Sequence, residues 1–163
     1  MRINQILRGM LFLSFVTPAY PQLVQAADCV GNMPLTMTET QTGFAGTTGT
    51  IWTIQADCSF TIARVVNASV SAPHQRGQLN VDQQARLSRL LAEKPVTSLP
   101  AELGSPAPVN RHQIILNISG KTSVLNLPAG AGGIEHAKSG GDDATKRLVE
   151  IFETVKALTG GSG

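Results

Sequence analysis

Between residues 35 and 66 apolar and polar residues alternate in three short runs, and this period of two constrains the fold more than any other feature of the chain. A strand sends successive side chains to opposite faces, so such runs suit a sheet with one face buried and the other wet. The runs cover residues 35–40, 50–55 and 59–66, rich in threonine, β-branched and aromatic residues that favour a pleated backbone. The stretch from Thr40 to Gly49 joins the first two and sets Phe44 between Gly43 and Gly46, which predicts a tight connection between paired strands. A meander of three antiparallel strands is the expected result.

Two more strands follow at 112–118 and 122–127, joined by a turn at Ser119, Gly120 and Lys121. Two segments instead carry the helical period. Asn80, with Gln83 three residues on, predicts a capped helix whose face holds Val81, Gln84, Leu87, Leu90 and Leu91, and Pro95 ends it. Asp142 or Asp143 caps a second helix carrying Leu148, Ile151, Phe152, Val155 and Leu158, with Gly160 as its stop. Residues 67–78 read as a surface loop, 98–108 as a proline-punctuated connector with Leu99 and Leu103 turned inward, and 129–141 as a glycine-rich loop. The expected fold is therefore α+β: an antiparallel sheet of about five strands with two amphipathic helices packed on one face.

Residues 1–26 have the build of an export signal. Arg2 and Arg8 precede a short apolar core around residues 10–16, and Val24-Gln25-Ala26 resembles a cleavage site, which puts the mature start at Ala27. The core is far shorter than the ~20 residues of a membrane span, so stable membrane insertion after cleavage is not expected. Loss of Arg2 and Arg8 leaves 11 basic against 11 acidic residues. That neutral balance, with Phe44, Trp52, Phe60 and Phe152 as the remaining aromatics, argues against nucleic acid as a partner. The remaining 137 residues suit one exported domain, 27–163, in the periplasm or outside the cell. Export also places Cys29 and Cys58 where an even number of cysteines pairs, and a Cys29–Cys58 disulfide is expected.

Candidate chemistry is sparse. Residues 132–139 nearly match a phosphate-binding loop, but Ala137 stands where a glycine precedes the lysine and Ser139-Gly140-Gly141 separates Lys138 from the next helix. His74, His112 and His136 stand far apart with no metal-ligand spacing, and His112 reads as a surface residue at a strand start. No serine sits in a nucleophile elbow, and helix capping accounts for the Asp142, Asp143 pair. Asn67-Ala68-Ser69 and Asn117-Ile118-Ser119 match the glycosylation triplet by chance. The expectation is a protein that is not an enzyme and has no cofactor or metal of its own.

The order of these elements, with Gly43-Phe44-Ala45-Gly46, the Gln83 to Leu91 helix followed by Leu99-Pro100, and Gly120-Lys121 in the last hairpin, resembles the emfourin family across residues 35–158. Those are small protein inhibitors of thermolysin-like zinc metalloproteases. This chain carries Thr42 where the family usually has a further glycine, and it adds a leader, a cysteine pair and the strand at 59–66. The resemblance implies an inhibitor acting outside the cytoplasm, with Thr42, Gly43, Phe44, Ala45 and Gly46 as the partner-binding residues and the zinc held by the protease. An exported interaction or structural domain without inhibitory activity is the alternative. Whether Phe44 points outward as an anchor or folds inward, leaving the glycines to serve turn geometry alone, is open at this level.

Overall fold

The computed structural model describes residues 29–30, 34–93, 96–106, 109–128 and 132–160. The expected leader, the start at Ala27, Pro95 and residues 161–163 lie outside them. The chain forms an α+β unit with strands β1 (Leu35–Gly43), β2 (Gly46–Ile54), β3 (Ser59–Val66), β4 (Ser69–Val70), β5 (Gln75–Gln78), β6 (Glu102–Leu103), β7 (His112–Ile118) and β8 (Lys121–Leu127), and helices α1 (Val81–Glu93), α2 (Gly133–Gly140) and α3 (Asp143–Leu158). The sheet order is β4-β3-β2-β1-β7-β8-β6, with β5 also on β3. Its five long strands are antiparallel, as the period of two predicts; β6 on β8 is the parallel pair that makes the sheet mixed.

Three short strands and one helix come from segments that read as loops. In 67–78, β4 and β5 fold back on β3, and the register sets Gly77 opposite Phe60, whose ring occupies the space a side chain there would need. In 98–108, β6 pairs with Val124 and Leu125 and buries Leu103, while Leu99 packs partly against the core. The segment 129–141 contains α2 rather than a continuous loop. Gly133 and Ala137 are buried there, and a side chain at Gly133 would press on the Pro128 carbonyl at 2.9 Å. Its glycines thus serve close packing of helix on strand, which composition alone does not distinguish from turn-making.

The helices lie on one face of the sheet. Leu148, Ile151, Phe152, Val155 and Leu158 of α3 are all buried, and Phe152 meets Trp52 of β2 edge-to-face at 5.8 Å and 85°. Asp142 caps α3 through Thr145 N–H at 2.7 Å. Asn80 and Gln83 exchange reciprocal bonds of 2.9 and 2.8 Å at the start of α1, the capping box read from the sequence. Leu87 and Leu90 of α1 pack inward, whereas Val81 in the first turn, placed on that face by period alone, is 76 % exposed. Cys29 and Cys58 form a disulfide with Cα atoms 5.3 Å apart, tying the N-terminal segment to the β2–β3 turn.

Candidate functional site

At the end of the sheet away from that disulfide, β1 and β2 form a hairpin whose last paired residues are Gly43 and Gly46. Phe44 and Ala45 make its two-residue tip. Gly46 takes φ +102°, a region that side chains disfavour, so the sequence places a glycine where the backbone requires one. Phe44 is 110 % exposed relative to its reference state, so its ring touches no part of the fold. This answers the question the sequence left open: the aromatic points outward.

The tip is held on both flanks. On one side, Asn67 in the β3–β4 turn donates its N–H to the Thr47 carbonyl at 2.6 Å and accepts the Thr47 N–H on Oδ1 at 3.1 Å. Asn67 has φ +55°, a left-handed conformation that asparagine tolerates better than most residues. A side chain at Gly46 would collide with the same Oδ1. On the other side, the Thr42 N–H donates to the Arg111 carbonyl at 2.7 Å. Across the hairpin, the Thr42 and Thr47 hydroxyls lie 2.8 Å apart. Of the five residues 42–46, the structure thus brings Gly43, Phe44 and Ala45 to the surface and uses Thr42 and Gly46 to hold the turn.

Asn67, Thr47 and Arg111 did not stand out in the sequence. A chance glycosylation triplet was the sole mark on Asn67, although asparagine followed by two small residues is also an ordinary turn signal. Val66, next to Asn67, and Val109, next to Asn110, are also exposed.

Below the tip, Glu39 of β1 meets His112 of β7 at 3.0 Å and Lys156 of α3 at 3.8 Å. His112 is therefore half-buried and paired rather than a plain surface residue, since β7 runs beside β1 with His112 opposite Gln41. The hydrogen bond from His112 is the largest influence holding the Glu39 carboxyl below its ordinary range, with the Lys156 charge adding to it against the cost of burial. Lys156 also lies 4.9 Å from the Phe152 ring centre, so the cluster links hairpin, β7 and α3. The hydrogen bond between His112 and Glu39 thus ties β7 to β1.

Other candidate residues have structural partners. Lys138, set in the near-match to a phosphate loop, stands in the last turn of α2 and pairs with Glu153 at 2.6 Å and Glu135 at 3.4 Å. Among the described residues, no group of three His, Cys, Asp or Glu side chains is placed to hold a metal ion. No described helix is long and apolar enough to cross a membrane. No family model matches the chain, and no curated protein matches it.

Proposed function

We propose that this chain is an exported protein-binding module that inhibits a thermolysin-like zinc metalloprotease outside the cytoplasm, with residues 42–46 as its contact. The observation that carries the reading is a fully exposed phenylalanine at the tip of a hairpin braced on both sides. An exposed aromatic ring costs the free protein solvation, and it regains that energy when a partner's apolar pocket covers it. Bracing matters equally, because a turn already held in one geometry loses little entropy on binding. A protease cleft that favours bulky apolar residues beside the cut site is the kind of pocket such a tip fits. The zinc belongs to the protease; this chain supplies the plug.

The test is direct. The chain is expressed at full length, purified from the exported fraction and titrated against several thermolysin-type proteases while hydrolysis of a peptide substrate is followed. Saturable inhibition is expected. Undiminished hydrolysis by every enzyme at about 10 µM of the protein, a level at which even a modest ~8 kcal/mol interaction would register, overturns the reading and leaves an exported interaction domain without inhibitory action.

A further inference from the structure

Among the described residues, α1, α2 and α3 lie on one face of the sheet, and the opposite face is covered by none of them. Side chains alternate along each strand, so the register fixes which residues line this second face. Through the middle runs a row across five strands: Ala63, Ile51, Thr38, Ile115 and Val124, each paired with the next. One row below, Thr61, Thr53 and Thr36 stand side by side, continuing to Asn117 and Thr122. On β3, β2, β1, β7 and β8 this face carries no Asp, Glu, Lys or Arg at any position. Arg76 of β5 stands at one edge, beside Thr61, and Glu102 of β6 at the other, beside Val124 and bonded to Asn126 at 3.1 Å.

A wet sheet face ordinarily gains solubility from charged side chains, and their absence from the centre of a patch with polar residues around it is the composition of an interface core. We infer that this face is where two copies of the chain pack against each other, sheet on sheet. Three features favour a second copy over another occupant. The centre of the face, on β3, β2, β1, β7 and β8, carries no charge and meets itself with no like-charge repulsion, which an isologous contact otherwise has to avoid. Thr38 lies on β1, the middle strand of the five, so a two-fold axis along β1 sets Ile51 of one copy over Ile115 of the other, while Ala63 at the end of the row is already buried within the chain. The patch is also large enough: five strands and seven residues give a footprint of roughly 24 by 23 Å, about 550 Å² before side-chain relief is added, on the order of the ~800 Å² per partner of a standard interface. The hairpin tips stay outside this contact, so the inference stands or falls independently of protease inhibition.

Sedimentation of the exported protein across a concentration series tests it. The expected result is a mass that rises towards that of a dimer by about 100 µM, the range in which a modest interface assembles. Thr38→Lys and Ile51→Lys place a charge at the centre and are expected to hold the protein monomeric with an unchanged circular dichroism spectrum, while Val81→Lys on the remote start of α1 leaves the dimer intact. A wild-type protein that stays monomeric throughout overturns the inference without recourse to any variant. So does a folded Thr38→Lys protein that dimerises as well as the wild type.

Discussion

Asn67 holds Thr47 from two sides, its backbone N–H on the Thr47 carbonyl at 2.6 Å and its side-chain Oδ1 on the Thr47 N–H at 3.1 Å. A turn between two other strands thereby becomes the lateral support of the β1–β2 tip. Asn67→Ala removes the side-chain bond and forces alanine into φ +55°. We expect a loss of about 1 to 3 kcal/mol in urea unfolding. Asn67→Gly keeps the backbone conformation and should cost less, about 1 kcal/mol, and faster amide exchange at Thr47 in both variants would locate the effect at the tip.

Phe44→Ala separates binding from folding. The ring makes no contact within the fold, so its removal should leave the unfolding midpoint within about 0.5 kcal/mol of wild type. Inhibition should weaken more than about tenfold, or about 1.4 kcal/mol. Wild-type potency in this variant would place the contact elsewhere on the surface.

Gly46→Ala makes the converse test. Its φ of +102° and the proximity of Asn67 Oδ1 leave no room for a β-carbon, so the tip must distort. A loss of about 1 to 3 kcal/mol is expected, together with weaker inhibition even though Phe44 remains. An unchanged melting curve would show that the turn is looser than its bracing bonds imply.

Acid should loosen the base of the hairpin through Glu39. Its carboxyl titrates below the ordinary 4.5 in the folded protein because His112, and then Lys156, favour the charged form. A group with a depressed folded pKa contributes stability that is fully present above its unfolded value and fades as pH falls through the folded one. Melting temperature should therefore decline below about pH 4.5, and Glu39→Gln should flatten that decline while lowering stability at neutral pH. Parallel acid limbs for the two proteins would remove Glu39 from the account.

Reduction of the Cys29–Cys58 bond, which closes a separation of 29 residues, should cost about 3 to 4 kcal/mol of stability on the chain-entropy view. The bond lies at the opposite end of the sheet from Phe44. Protein that stays folded after reduction is therefore expected to keep its inhibition, as a peptide-hydrolysis assay with alkylated cysteines would show.

Much of this architecture is legible in the chain because it rests on short-range physics. Alternation marks the first three long strands and a hairpin turn the last two, reciprocal capping by Asn80 and Gln83 marks the start of α1, and helical spacing selects buried residues of α3. Compartment and an even count paired the cysteines. What the sequence could not determine depends on neighbours distant along the chain. The short strands β4, β5 and β6 have too few residues for a period to register and exist because β3 and β8 offer them edges. The glycines of 129–141 look alike whether they make a loop or let α2 approach Pro128. Glu39 and His112 are 73 residues apart, and register alone brings them to 3.0 Å. Phe44 is the clearest instance: its glycine neighbours announce a turn, but its outward direction is decided only in the folded hairpin, where the ring is fully exposed.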